Sequence, residues 1–375
     1  MKILFACGGT AGHINPALAV AGALQKRHPG IQIKFAGNPN GMEARLVPAA
    51  GYDFLPIEIL GIQRKINWRN IRYNFRSVYL LARAPGRVKK IIKSFEPDVV
   101  VGTGGYVSGP VLRTAHKMGI KTLTHEQNAY PGITTRLLAA TADKVLLADE
   151  EAKTRLPKGR DYIVTGNPIR EDILFADRAQ ARQELGVGQR VCILSFGGSL
   201  GAARLNEAVA DVMAWHSKSG KARVHHIHAT GSYGVEDMPR LLKEKGADYH
   251  QNPHLDIREY INDMPRCLAA ADLVIGRAGA ITLSELQAAG RASILIPSPN
   301  VAENHQYHNA MVLARQDAAV VIEESKLTGP LLVQTVKDLV EDPARLAVLG
   351  ANAQRMAIVD AAQRICRQIE LLLPQ

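Results

Sequence analysis

The chain has 375 residues, 46% of them hydrophobic and 22% charged, a balance that excludes a disordered, collagenous or coiled-coil protein and predicts two domains. No stretch approaches the roughly 20 apolar residues of a membrane-spanning helix. The formal charge of +11 points to an anionic partner: nucleic acid, acidic lipid or a phosphorylated substrate. Cys7, Cys192, Cys267 and Cys366 have no paired spacing for zinc and are too few for a disulfide framework. They read as buried thiols in a reducing compartment. The apolar stretch before Gly8 is too short for the core of a signal peptide, so a cytosolic location is expected.

The first predicted strand, Lys2 to Cys7, runs into Gly8-Gly9-Thr10-Ala11-Gly12-His13, which opens a helix. A second strand spans Gln32 to Gly37. From Ile59 to Phe95 there is no acidic residue, whereas Arg64, Lys65, Arg69, Arg72, Arg76, Arg83, Arg87, Lys89, Lys90 and Lys93 are basic. Trp68, Ile71, Phe75, Val78 and Tyr79 interleave with these arginines at helical spacing. Such a helix can lie on an anionic leaflet. It can also pack inward, and RNA binding is a third reading, although no nucleic-acid motif accompanies the charge.

Val99 to Gly102 is the next strand, followed by a second glycine loop, Gly102-Thr103-Gly104-Gly105-Tyr106-Val107-Ser108-Gly109-Pro110. Thr122 to Glu126, Lys144 to Ala148 and Tyr162 to Thr165 complete the first series. Gly166-Asn167-Pro168 has turn chemistry and is placed as the hinge, giving domains 1–166 and 167–354. The rhythm restarts with Val191 to Phe196, which leads into a third glycine loop, Gly197-Gly198-Ser199-Leu200-Gly201-Ala202. Strands His225 to Thr230, Leu273 to Gly276, Ser293 to Pro297 and Ala319 to Ile322 follow. Continuous apolar runs alternating with helices mean parallel sheets covered on both faces. The fold class is therefore α/β, two doubly wound Rossmann-like domains expected to face a central cleft with their strand carboxyl ends. A final helix, from Pro343 to Leu373, is long enough for its end, about 355–375, to pack back on the first domain.

Glycine loops at helix starts offer unpaired N–H groups and a positive dipole end, an anion site. None of the three has the G-x-G-x-x-G spacing of a nicotinamide dinucleotide site or a Walker lysine. A different phosphate ligand is expected. In the second half, Gly276-Arg277-Ala278-Gly279-Ala280 leads into a helix holding Glu285. That carboxylate can accept from a ribose diol, or it can merely complement the helix dipole.

Read together, Gly-Gly-Thr-Ala-Gly-His at 8–13, Gly-Gly-Tyr-Val-Ser-Gly-Pro at 104–110, His125-Glu126-Gln127-Asn128, Gly166-Asn167-Pro168-Ile169-Arg170, Gly-Gly-Ser-Leu-Gly-Ala at 197–202 and Gln306-Tyr307-His308-Asn309-Ala310 resemble the MurG family of peptidoglycan N-acetylglucosaminyltransferases. The resemblance implies the GT-B fold and a lipid-linked acceptor, lipid I, on the first domain, at Gly104, Gly105 and Tyr106. It implies UDP-N-acetylglucosamine mainly on the second domain, with contacts from Thr10, Ala11, Gly12, Asn128, Arg170, Ser199, Ile261, Ala280, Ile281, Thr282, Leu283, Ser284, Glu285 and Gln306. Transfer to the muramoyl 4-hydroxyl would give lipid II, with inversion, at the cytoplasmic face of the plasma membrane. Another GT-B enzyme, such as a UDP-N-acetylglucosamine 2-epimerase or a glycolipid synthase, is the alternative.

Attack by an acceptor hydroxyl needs a base. His13 opens a helix whose positive end favours a neutral ring able to accept a proton. Glu126 is the other candidate. The chain has no Asp-x-Asp pair, so no metal cofactor is expected and helix ends with Arg170 would meet the leaving diphosphate. His225-His226-Ile227-His228 alternates as a strand does and reads as structural. The membrane-facing residues are expected to be Trp68, Arg69, Ile71, Arg72, Phe75, Arg76, Tyr79 and Arg83. The partners expected are thus the UDP-sugar, lipid I and an anionic phospholipid surface, with no nucleic acid.

Overall fold

A computed structural model describes residues 1–61, 68–219, 224–247, 250 and 252–373, with the side chains of residues 69, 71 and 219 outside the description. The chain forms two compact units: residues 1–168 with the segment from Ile358 onward, and Ile169–Ala357.

In the first unit, β1 (Lys2–Ala6), β2 (Gln32–Gly37), β3 (Asp53–Pro56), β4 (Val99–Gly102), β5 (Lys121–Glu126), β6 (Lys144–Leu147) and β7 (Ile163–Val164) make one parallel sheet ordered β3-β2-β1-β4-β5-β6-β7. Strand alternation sends Ile3, Phe5, Val99 and Val101 against Ile14, Ala17, Val20 and Leu24 of the helix Ala11–Arg27. Leu4, Ala6 and Val100 point the other way, onto Ala84, Val88, Val107 and Val111. Both faces are buried, which is why these strands read as unbroken apolar runs.

The second unit repeats the plan with β8 (Val191–Phe196), β9 (Val224–Ala229), β10 (Leu255–Arg258), β11 (Leu273–Gly276), β12 (Ala292–Leu295) and β13 (Val320–Val321), ordered β10-β9-β8-β11-β12-β13 and parallel throughout. The strand order reverses between β1 and β4 in one unit and between β8 and β11 in the other. In doubly wound sheets ligands bind at the strand carboxyl ends beside such a reversal.

Two strands escape the sequence pattern, β3 and β10. Both lie at sheet edges, and Asp53-Phe54-Leu55-Pro56 and Leu255-Asp256-Ile257-Arg258 carry charge where interior strands such as Val99-Val100-Val101 and Leu273-Val274-Ile275 are unbroken apolar runs. The helix predicted over 343–373 is corrected to two, Pro343–Arg355 in the second unit and Ala361–Glu370 in the first. The chain changes units at Ala357, so the helical ladder cannot continue through it. The returning helix buries Ile365, Cys366 and Ile369 in the core around the helix Ala11–Arg27, and Glu370 pairs with Arg27 at 2.8 Å and His28 at 2.9 Å. All four cysteines are free and buried. Burial pushes the thiols of Cys192, Cys267 and Cys366 up to about 12, which keeps them inert.

The histidines of β9 divide between faces. His226 Nε2 and His228 Nδ1 each lie 2.8 Å from Ser195 Oγ, and His216 Nε2 lies 3.3 Å from His226 Nδ1. Among the described residues no group of three or more His, Cys, Asp and Glu is placed to hold a metal ion.

Burial lowers His216 and His228 to about 4 and holds His226 well below the ordinary range. The unfolded chain therefore binds more protons than the folded one below about pH 6.5. Stability is complete above that pH and drains away as pH falls toward about 4, by on the order of 3 kcal/mol for His228 alone. Thermal unfolding followed from pH 7.5 to 4.5 should show a falling midpoint, and a flat one would mean that these rings are charged in the fold.

Candidate active site

At the reversal between β1 and β4 the first two glycine loops meet. A side chain on Gly105 would overlap the Gly8 carbonyl, and a Cβ on Gly104 would lie 2.5 Å from His13 Nδ1. Gly104 and Gly105 also hold φ of 106° and 81°, backbone that only glycine adopts without strain. The imidazole of His13 thus fills the space a side chain at 104 would take. Ser108 Oγ accepts from Gly104 N at 3.1 Å and lies 2.7 Å from the Ala6 carbonyl, and Thr103 Oγ1 donates to His13 O at 2.7 Å. Tyr106 is exposed, with its ring over Gly61.

Thr10 is the N-cap of the helix Ala11–Arg27, its side chain making no cap bond. Its carbonyl receives the N–H groups of His13 and Ile14, and in the first turn Gly12 is exposed and Ala11 half-buried. The expected anion site lies partly under a resident acid. The buried Glu43 accepts from Gly9 N at 3.1 Å and Asn38 N at 2.9 Å, and a Cβ on Gly8, Gly37 or Gly41 would collide with it. Nothing in the sequence pattern marks Glu43, because the glycines that make room for it are divided between the loop after β1 and the end of β2 with the turn that follows it.

Glu126 ends β5 and is buried. One oxygen accepts from Asn128 N and Nδ2, each at 3.0 Å, and the other from Gly132 N at 3.0 Å and Thr135 Oγ1 at 2.5 Å. Four donors on one carboxylate make it the organiser of the loop that carries Asn128. His13 instead meets Gln127, whose Oε1 lies 2.9 Å from Nδ1. The motif alone gives Gln127 no role, although His125 and Gln127, two apart at a strand end, share one face.

In the second unit, Ser199 lies exposed in the third glycine loop. Gly201, at φ 87°, has no room for a Cβ beside the Thr230 carbonyl. Arg170 and Glu285, far apart in sequence, come together with Arg170 Nε 3.4 Å from Glu285 Oε1. Burial raises the Glu285 carboxyl and the guanidinium partly offsets that rise. Ala280, Ile281, Thr282, Leu283, Ser284 and Glu285 all belong to the helix Ala280–Ala289, with Leu283 turned into the core. Gln306 Oε1 accepts from Ser298 N at 2.9 Å. The preceding Glu303 and Asn304 hold φ of 54° and 50°, strain of the kind stored at binding sites and invisible in the sequence. Ile261 is buried beyond β10, in a loop drawn in by Arg258, which pairs with Asp256 and Asp263.

The basic helix spans Trp68–Phe95. Leu80, Ala84, Val88, Ile92 and Phe95 face the core, whereas Trp68, Phe75, Val78 and Tyr79 are exposed, Trp68 by 84% and Phe75 by 74%. Arg83 lies over the Tyr79 ring and Arg76 bonds Glu58 at 2.7 Å. Arg72 is exposed. Arg64 and Lys65, and the side chains of Arg69 and Ile71, lie outside the described residues. Among the described residues no helix is long and apolar enough to cross a membrane.

Residues 3–147 match the model of the glycosyltransferase family 28 N-terminal domain, and residues 192–365 that of the family 28 C-terminal domain. The chain belongs to this family. It is 40% identical to a protein of Desulforamulus reducens over 100% of both chains, and 41% identical to one of Acetivibrio thermocellus over 97% of this chain and 96% of that relative. Both are named UDP-N-acetylglucosamine--N-acetylmuramyl-(pentapeptide) pyrophosphoryl-undecaprenol N-acetylglucosamine transferase. The crystal structure of Acinetobacter baumannii MurG superposes with a TM-score of 0.80 at 30% identity, covering 99% of each chain. The family 28 protein is thus a glycosyltransferase of the GT-B fold.

The Gly104 contact yields a comparison. Gly9→Ala, at φ 87° with open space around it, adds only backbone strain of about 1–3 kcal/mol. Gly104→Ala adds comparable strain and also drives the His13 ring aside, a misplacement that should cost on the order of 10²-fold in turnover. Equal turnover for the two folded variants would show that the ring position is immaterial.

Proposed function

We propose that this glycosyltransferase moves N-acetylglucosamine from UDP-N-acetylglucosamine to the muramoyl 4-hydroxyl of lipid I, with inversion, forming lipid II. The observation that carries the reading is the full-length identity with transferases bearing that printed name. The same likeness disfavours the epimerase alternative, whose reaction needs no acceptor.

His13 is proposed as the base, at the start of a helix and held by Gln127. Glu126 is proposed as a positioning residue, since its oxygens already accept four hydrogen bonds. Glu285 is assigned to the ribose diol. Arg170, fixed through Nε and about half exposed, is assigned to the diphosphate, whose departing charge needs a stabilising donor. Ser199, the first turn at Thr10, Ala11 and Gly12, Asn128, Ile261, Gln306 and the helix start at Ala280 to Ser284 are the remaining proposed donor contacts. Gly104, Gly105 and Tyr106 are proposed for the acceptor. The reading invokes no metal cofactor: helix starts and Arg170 carry the stabilisation.

UDP release measured with and without a lipid I analogue tests the reaction. Release should require the analogue, and release without it would favour an epimerase-like chemistry. In the same assay His13→Ala should lower turnover by on the order of 10²–10⁴ with donor affinity little changed. A variant within threefold of wild type would remove His13 from the mechanism.

We further propose that the enzyme sits peripherally on the cytoplasmic face of the membrane, with Trp68, Phe75 and Tyr79 entering an anionic leaflet and Arg69, Arg72, Arg76 and Arg83 near its surface. The core needs none of these exposed rings. Arg72→Gln with Arg83→Gln should remove about 2 kcal/mol of attraction to phosphatidylglycerol vesicles at low salt, roughly 30-fold in binding. Turnover of a short, water-soluble acceptor should persist. Unchanged co-sedimentation would exclude these arginines from a membrane surface.

A further inference from the structure

We propose that Gln127 is a positioning residue that fixes the tautomer of His13, protonated at Nδ1 and bare at Nε2, with His125 and the Gly166 carbonyl as its anchor. The inference rests on the reading of His13 as the base.

It follows from where protons can be. A carbonyl oxygen only accepts. His125 Nε2 lies 2.9 Å from Gly166 O, so Nε2 carries the proton. Burial holds this ring neutral, and Nδ1 therefore keeps a lone pair. The amide nitrogen of Gln127 lies 3.0 Å from that lone pair and 3.0 Å from the His125 carbonyl oxygen. Both are acceptors and the amide nitrogen has two N–H groups, one for each. The orientation of the amide is thus set twice, once by a group with no tautomer at all. Its oxygen is left for His13 Nδ1 at 2.9 Å, and an amide oxygen requires a donor there. His13 Nδ1 bears the hydrogen and Nε2 is free to take one.

His125 and Gln127 are buried, so turning the amide over would set its oxygen against two acceptors of His125, where water cannot repair the mismatch. The main chain is clamped as well: Asn167 Nδ2 donates to Gln127 O at 3.1 Å. The relay therefore ends on Gly166 and Asn167, at the segment joining the two units. When the acceptor hydroxyl reacts, its proton forms an N–H bond on His13 Nε2. The O–H electron pair becomes the new bond to the anomeric carbon, and the old anomeric C–O pair leaves with the diphosphate of UDP. Gln127 Oε1 then shares the positive charge through Nδ1–H. A carboxylate in that place would favour the imidazolium before reaction. The neutral amide orients the ring without charging it.

Nitrogen-15 NMR of the histidine-labelled full chain at neutral pH reads the tautomer directly, with His13 assigned by its loss in His13→Ala. Wild type should show His13 protonated at Nδ1 only. Gln127→Leu should lose that preference and drop kcat by roughly 10–100-fold, at unchanged KM for the UDP-sugar. Gln127→Glu keeps an acceptor for Nδ1, so it should restore the tautomer and shift the acid limb of the pH–rate profile upward. A wild-type ring protonated at Nε2, or a Gln127→Leu ring unchanged from wild type, overturns the proposal without need of any variant's activity. A tautomer change at unaltered kcat would uphold the positioning and refute the base.

Discussion

Much of the first switch point depends on two missing side chains. The loops leaving β1 and β4 diverge into helices on opposite faces of the sheet, and at their origin the backbones must nearly touch. Gly105 allows that contact against the Gly8 carbonyl, and Gly104 vacates the volume that the His13 ring enters. With that space available, the ring sits at a helix start with one nitrogen turned to Gln127. A side chain at 105 would force the loops apart, and one at 104 would push the His13 ring aside, before any substrate arrives. The constraint is steric and local, yet it sets where the imidazole can be.

How far this was legible in sequence follows from what each element buries. Interior strands such as Val99-Val100-Val101 are covered on both faces, so composition alone marks them. The edges β3 and β10 pair on one side only and tolerate Asp53, Asp256 and Arg258, which erases the apolar run. Loops were legible as glycine punctuation before a helix, but their occupants were not. Glu43 approaches Gly9 from 34 residues away, and Arg170 meets Glu285 across a still longer gap. Such pairings depend on topology, and no spacing rule encodes them. Gln127 was different: strand alternation places it beside His125, and only its neutral side chain made it easy to pass over.

Buried histidines show the same chemistry under two regimes. His125 has both ring nitrogens bonded, so its proton position is determined and can determine that of a neighbour. In the second unit His225 has neither nitrogen bonded, and His228 Nε2 is likewise without a partner. Burial is the main cause that holds those rings neutral, helped at His225 by His254 and by the Arg190 and Arg258 guanidinium groups. A buried ring transmits information only when each nitrogen has an assigned partner.

The glycine loops of the two halves look alike in sequence, but their N–H groups are differently engaged. In the first, Gly9 already donates to the carboxylate of Glu43, an anion belonging to the fold. A diphosphate brought to that loop would meet like charge behind it and would have only the turn at Ala11 and Gly12. In the second, no carboxylate among the described residues bonds the turn from Gly198 to Gly201, and Arg170 stands in the same unit with its side chain about half exposed. On the proposed reading, Coulomb's law would therefore favour the second loop for the diphosphate and leave the first to hold its helix and His13 in place. The two loops share a pattern yet differ in charge, and the difference rests on Glu43, which shares no motif with either loop.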